Sequence, residues 1–333
     1  MPLPGVVRTH RTPPRGGLAQ IRSQPLKIIT YVARLDKRAI QADLEGLRLA
    51  ISMAGSRFAY VRNFELPDPL LPETYMVLRI DGHAFHRLSA DHDFAKPNDE
   101  RALQLMDHAA RDVMNEFKDI VLAFGESDEY SFLFRKSTAL YNRREAKILS
   151  TITSLFTSSY VFNWPKYLPN TPLKYCPSFD GRIILYPSPT IVRDYFSWRQ
   201  ADTHINNLYN TVFWALVLQG GQTTTEAHAT LRSTVSSTKH EILFSQYGIN
   251  YNDLPARYRK GSVLVRTEVN GEADANATDA QSLESPSPIP PTATEVSQGS
   301  KKKKERIRTI VELLHCDIIG DDFWNARQNL LAD

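Results

Sequence analysis

Cysteine is scarce in this chain. Its 333 residues include two, Cys176 and Cys316, 140 positions apart. That gives neither a disulfide framework nor a zinc-binding spacing, and it suits a reducing compartment, cytoplasm or nucleus. Long apolar runs are missing too. The longest plausible one, TVFWALVL at 211–218, is far too short to cross a bilayer, so no membrane partner is expected. No GxxxxGK(S/T) segment occurs, which disfavours a P-loop NTPase. Acid is absent up to Leu35, where Lys27 and five arginines, Arg8, Arg11, Arg15, Arg22 and Arg34, stand alone. Lys and Arg are absent in turn from NGEADANATDAQSLESPSPIPPTATEVSQGS, which begins at Asn270.

What is present divides the chain. Hydrophobic residues make up 42% and aromatics 10%, enough for a sizeable core, and a formal net charge of +3 neither demands nor excludes nucleic acid. Residues 1–52 read as a mitochondrial transit peptide, a disordered extension, or a stretch upstream of a start at Met53. Residues 269–304 read as a disordered acidic Pro/Ser insertion, too polar to offset its own ordering. KKKKERIR at 301–308 is either a solvated charge run or a contact to RNA or a nuclear signal. The folded part is then 53–268 with the tail 305–333, divided into 53–187 and 188–268.

Within it, YMVLRID at 75–81 has strand length. Residues 96–117 carry Leu103, Met106, Ala110, Val113 and Phe117 at helical spacing, with Asn98 or Asp99 as cap. DIVLAF and YSFLF flank an acidic turn as two strands. Helices are expected over about 138–163 and 189–218, and strands at 182–187 and 262–269. The fold class is α+β, with helices packed on one face of a largely antiparallel sheet.

The acidic turn, AFGESDEYSF at 123–132, holds Glu126, Asp128 and Glu129. If 75–81 pairs beside this hairpin, Asp81 lies at a strand end next to Asp128, since neighbouring strands are about 4.8 Å apart. Two carboxylates that close repel unless a cation joins them. Magnesium does so with one or two carboxylates, water and substrate phosphates. Gly82 lets the backbone approach a ligand, and its carbonyl adds an oxygen. That is the arrangement of a two-metal nucleotidyl-transfer site. The other reading is a solvated turn, where acids are common.

Longer stretches decide between these. RIDGHAFHRLS (79–89), DFAKPNDERALQLM (93–106), GESDEYSF (125–132), YCPSFDGRIILYPS (175–188), DYFSWRQADTHINNLYNTVFWAL (194–216), KHEILFSQYGINYND (239–253), YRKGSVL (258–264) and LHCDIIGDDFW (314–324) resemble the tRNA-His guanylyltransferases. MAGSRFAYVRNFE, from Met53, resembles that family's own N-terminus.

The resemblance implies a polymerase-palm-like domain with a helical C-terminal part. It implies addition of one guanosine to the 5′ end of tRNA-His, in the reverse direction to ordinary polymerases. ATP adenylylates the 5′-phosphate, the 3′-hydroxyl of GTP displaces AMP, and pyrophosphate is removed. Asp81, the Gly82 carbonyl and Asp128 would hold two magnesium ions, with Glu129 supporting them from just outside. The loop Asp81, Gly82, His83, Ala84, Phe85 and His86 would wrap GTP phosphates, with Ser127 and Lys96 assisting. Arg144 and Lys147 would bind a triphosphate. His204, Asn207, Lys239 and Asn250 would act at the RNA end. A homotetramer built as a dimer of dimers is implied as well. The family commonly has Arg after the DG pair, where this chain has His83 and Ala84. A templated 3′→5′ polymerase repairing tRNA 5′ ends is the rival enzyme. An RNA-recognition module is disfavoured because its strands carry aromatics where these carry acids.

Overall fold

The structure is a computed structural model that describes residues 56–269 and 308–332. The expectations for residues 1–52 and 270–304, including the lysine run, lie outside them. Residues 56–66 belong to a unit of their own, a 3-10 turn over Ala59–Phe64 with none of its side chains buried. The rest of the description concerns the unit from Pro67 onward.

Six strands form one sheet, β1 (Tyr75–Gly82), β2 (Ile120–Glu126), β3 (Glu129–Phe134), β4 (Phe179–Tyr186), β5 (Ser262–Val269) and β6 (Arg308–Leu314). Their order is β4-β1-β3-β2-β5-β6, and every neighbouring pair is antiparallel. Strand side chains alternate between faces, so β1 feeds two cores at once. Met76, Leu78 and Ile80 enter one, and Tyr75 and Val77 the other.

The first face is covered by α2 (Glu100–Glu116) and α3 (Glu145–Tyr167), through Met106, Val113, Ile152 and Phe156 among others. A short helix, α1 (Phe85–Asp91), precedes them. The sequence places helices on one face, and α2 and α3 do share one. The opposite face is apolar as well, and it is closed by Val192, Tyr195 and Phe196 of α4 (Pro189–Leu218) and by Ile318, Phe323 and Trp324 of the tail. The last two lie on α8 (Asp321–Asn325).

α4 runs for 30 residues, which at 1.5 Å per residue is about 45 Å. Its first half lies on the sheet. Its second half gathers α5 (Thr224–Leu231), α6 (Ser236–Tyr247) and the turn Tyr251–Asp253 around Leu208, Val212, Leu231, Leu243 and Tyr251. α7 (Ala256–Lys260) leads back into β5. Among the described residues no helix is long and apolar enough to cross a membrane.

Of the two candidate caps read from the sequence, Asp99 is the one used: it accepts from the Arg101 N–H at 3.0 Å, and α2 starts at Glu100. One boundary differs from the sequence reading. α3 starts at Glu145, because Tyr141, Asn142 and Arg143 adopt left-handed φ of 49°, 55° and 57°. The buried Arg143 guanidinium donates to the carbonyls of Leu70, Leu71 and Thr74, which holds that turn against the chain entering β1.

The tail therefore belongs to the core. Trp324 is 4% exposed and its Nε1 donates to the Ile318 carbonyl at 2.8 Å. Trp324→Ala should cost about 3–5 kcal/mol, as for other buried aromatics. A lower urea midpoint with unchanged slope is the expected readout. An unchanged midpoint would mean the tail is an appendage.

Candidate active site

Asp81 closes β1. Its Cα lies opposite Glu129 on β3 and opposite Asp180 on β4. One rung of the sheet thus carries acids on three adjacent strands. The β2–β3 hairpin is shut by the Glu126–Glu129 pair, leaving a two-residue loop in which Ser127 takes a left-handed φ of 47°. Short hairpins of this hand need a positive φ. The Gly82 N–H donates to the Asp128 carbonyl at 3.0 Å, which ties the end of β1 to the tip of the hairpin. Two acids 47 positions apart in the chain are thereby neighbours.

The surroundings penalise this charge. Burial pushes the Asp128 carboxyl up to about 6, and the Asp81 charge adds to it. Burial pushes Glu126 up to about 7, partly opposed by a hydrogen bond from Thr203. Glu129 is raised by burial too, with Arg199 pulling it back.

A cavity of about 620 Å³ opens in front of the hairpin. Gly82, Ala84, Phe85, His86, Lys96, Ser127, Asp128 and Asn207, all singled out from the sequence, line it. Gly82 is glycine for a steric reason: a Cβ there would come within 2.4 Å of the Phe85 ring. That ring packs on Phe179 at 4.8 Å and Tyr160 at 5.8 Å, and so seats the 81–86 loop. Ala84 caps α1 with a left-handed φ of 58°. Lys96 donates to the Ser89 hydroxyl at 3.1 Å, and burial lowers its ammonium pKa while Asp99 opposes the shift.

The remaining residues do not all converge. Asp81 and Glu129 stand in the rung beside the lining. The His83 side chain is exposed, and its N–H donates to the Ser178 carbonyl at 2.9 Å. His204, two positions from the lining residue Asn206, packs on Tyr251 at 5.4 Å and His240 at 6.4 Å. Asn207 joins that cluster, donating to the Tyr251 hydroxyl at 3.1 Å. Lys239 is committed to the Thr234 carbonyl and hydroxyl, both at 2.8 Å, and Asn250 caps the Tyr251–Asp253 turn.

Arg144 and Lys147 are not brought to this cavity. Arg144 is the extended N-cap of α3, paired with Asp68 at 3.5 Å, so it stands outside the helix that carries Lys147. Tyr160, where α3 meets the cavity, is 16 residues further on, about 24 Å along the axis. Lys147 sits 4.6 Å from the Tyr141 ring.

Several contributors escape the motif reading. Arg199 donates to both oxygens of Glu129 at 3.1 and 3.0 Å, and Thr203 reaches Glu126. The spacing 199, 203, 207 on one helix is the signal that carries them, since residues four apart share a face. At the floor, Tyr130 donates to Asp107 at 2.6 Å, and Arg257 pairs with the other oxygen of Asp107 at 3.0 Å. Only the fold brings those three together.

Among the described residues no three carboxylate, imidazole or thiol groups gather in metal-holding geometry. Nor does any cationic side chain there pair with Asp81 or Asp128. Two carboxylates without a cationic partner and a carbonyl fit a hard cation that draws its other oxygens from water and substrate phosphate.

The raised carboxyls make stability pH-dependent. A group whose folded pKa is raised stabilises fully below its unfolded pKa, and loses that contribution as pH rises through the folded value. For Asp128 and Glu126 the loss runs from about 4 to about 6 and about 7 respectively. Each is worth on the order of 3 kcal/mol. Asp128→Asn should therefore lose clearly less stability than the parent chain between pH 5 and 8 in urea titrations without divalent metal. Parallel pH curves for the two proteins would contradict this.

Comparison with known proteins places the chain in a family. Residues 58–187 match the family model described as tRNAHis guanylyltransferase, and residues 190–320 match Thg1 C terminal domain. The chain is 59% identical to a Drosophila melanogaster protein named probable tRNA(His) guanylyltransferase, covering 84% of this chain and 86% of that one. It is 52% identical to the tRNA(His) guanylyltransferase of Schizosaccharomyces pombe, over 83% and 97%. The crystal structure of the Saccharomyces cerevisiae enzyme superposes with a TM-score of 0.61 at 50% identity, over 63% of this chain and 93% of that one. A bacterial tRNA(HIS) guanylyltransferase-like protein, solved with ATP, shares the fold at 20% identity, with a TM-score of 0.56 over 82% and 95%. Both family models lie in order along the chain, and named relatives share half or more of their aligned residues with it, so the protein belongs to the tRNAHis guanylyltransferase family of nucleotidyltransferases.

Proposed function

We propose that this chain adds a guanosine to the 5′ end of tRNA-His, using ATP and GTP. The observation that carries the reading is the Gly82–Asp128 backbone bond. It sets Asp81 beside Asp128 at one end of a cavity that also holds Lys96 and Asn207. The names of the relatives support the substrate, and the ATP complex of the bacterial protein of like fold is consistent with nucleotide binding.

The chemistry is three displacements. The 5′-phosphate of the tRNA attacks the α-phosphorus of ATP and pyrophosphate leaves. The 3′-hydroxyl of GTP then attacks the adenylylated phosphate and AMP leaves. Water finally removes pyrophosphate from the new end. The Asp81 and Asp128 carboxylates and the Gly82 carbonyl would hold two magnesium ions, which when bound lower the pKa of an attacking hydroxyl and offset triphosphate charge. Ser127 and the N–H groups of Ala84, Phe85 and His86 orient the phosphates, since those of Gly82 and His83 already donate to the carbonyls of Asp128 and Ser178. The Lys96 ammonium supplies positive charge from the facing wall, less hydrated than on an open surface. Asn207 presents an amide, and His204, Lys239 and Asn250 act at the RNA end. The homotetramer belongs to the same proposal, and light scattering measures it.

The test is purified protein with magnesium, ATP, GTP and 5′-monophosphorylated tRNA-His lacking the extra guanosine. A one-nucleotide lengthening is expected for tRNA-His and none for tRNA-Phe. Asp128→Asn should lower the rate by more than about 100-fold, beyond the usual cost of losing a metal's outer support. Several templated nucleotides on truncated tRNAs would favour the repair polymerase instead. No lengthening by folded protein that still binds tRNA overturns both readings.

A further inference from the structure

The rung Glu129–Asp81–Asp180 poses a problem that the chain solves with one residue. Side chains directly opposite on neighbouring strands stand about 4.5–5.5 Å apart, and like charges there repel. The next rung inward does not relieve it evenly, because Arg79 faces Arg182 and approaches Glu129 only to 3.8 Å. Arg199 arrives from α4 instead. Its Nη1 donates to both oxygens of Glu129, and its Nη2 donates to Asp202 at 2.9 Å. Its guanidinium carbon lies 3.7 Å from the centre of the Trp198 ring, so the plane is fixed as well as the charge. The Arg199 side chain is 5% exposed.

One turn later on the same helix, the Thr203 hydroxyl donates to the Arg199 carbonyl at 2.9 Å and is in hydrogen-bond contact with Glu126 at the loop's other end. α4 thus grips both acids that flank the two-residue loop. Asp128 and Asp81 are left without a cationic partner among the described residues.

We infer that Arg199 is a positioning residue for nucleotidyl transfer: by committing Glu129 to an ion pair, it leaves Asp81 and Asp128 as the two carboxylates presented to the metal-bound substrate. This rests on the proposed guanosine transfer. Arginine is suited to the task, because a fork can satisfy two carboxylates and stack on an aromatic face while staying charged. Without it, Glu129 keeps only Arg79 at 3.8 Å, and this weakly paired buried carboxylate beside Asp81 competes for the same cation.

The experiment compares Arg199→Met and Arg199→Lys with the parent chain in two assays. The first follows manganese binding by electron paramagnetic resonance with GTP present, which needs no turnover. The second measures kcat and the KM for GTP with tRNA-His. Arg199→Met should weaken manganese binding and lower kcat, each by about 10–100-fold, the usual effect of removing a partner behind a metal ligand. The KM for GTP should stay within about twofold, since uniform substrate binding is not touched. Arg199→Lys, which keeps the charge without the fork, should fall between. Should Arg199→Met not fold, Arg199→Lys and Trp198→Ala give the same ordering in milder form.

Unchanged manganese binding per folded molecule, with only a lower melting temperature, would reduce Arg199 to a structural role and overturn the inference. So would a loss confined to the KM for GTP. If the parent chain binds manganese and Arg199→Met weakens it, but no guanosine is added to tRNA-His, the transfer reading fails while the positioning role stands.

Discussion

Negative charge gathered at the ends of adjacent strands is the constraint on which this structure turns. Asp81, Asp128, Glu126 and Glu129 lie within one hairpin and its neighbouring strand, and Asp180 extends the row. Burial raises the carboxyls of Asp128, Glu126 and Glu129 alike, so leaving them ionised has a real energetic cost. A chain that only needed a turn could use Asn and Gly at no such cost. The acids are sorted instead. Glu129 is neutralised from within by Arg199, Glu126 is hydrogen-bonded by Thr203, and Asp81 and Asp128 stay open to what comes from outside.

α4 makes that sorting possible and connects it to the rest of the molecule. Its first half is packed on the sheet by Val192, Tyr195 and Phe196, and its second half organises the helical cluster around Leu208 and Val212. Gln200 locks the crossover, donating to the carbonyls of Lys260 and Cys316 and accepting from the Ile318 N–H. The residues facing the hairpin and those packed against Tyr251 are therefore on one rigid rod. Positions 199, 203 and 207 reach the acids, the cavity and the Tyr251 cluster without a hinge between them.

The other walls follow from packing. Gly82 lets the Phe85 ring close over the end of β1, and Gly261, at φ 74°, brings α7 and β5 within reach of the Gly125 carbonyl. A cavity framed by glycines against aromatic rings holds its shape, because the backbone approaches closely where no side chain intervenes. The Asp107–Tyr130–Arg257 set adds a polar floor, in which Tyr130 donates to one oxygen of Asp107 and the Arg257 guanidinium balances the charge on the other.

By itself the sequence determined the antiparallel α+β order, the strand at 75–81, the hairpin around Ser127, the helix over 189–218 and the strand at 262–269. All of these rest on local periodicity and turn chemistry, which act over a few residues. It also pointed to Asp81, Gly82 and Asp128, because an acid after an apolar run and an acidic turn are local signals. Tertiary structure alone decided the rest. The second face of the sheet is covered by a tail more than 100 positions from α4's start, a distance no local pattern spans. The start of α3 depends on Arg143 finding carbonyls near residue 70, and Arg144 is drawn to Asp68 rather than to the cavity. Arg199 could be read as a basic residue on a helix, but its partner is fixed only when that helix crosses the sheet. The physical reason is common to all three: a charge takes its role from its nearest opposite charge, and the fold chooses that neighbour.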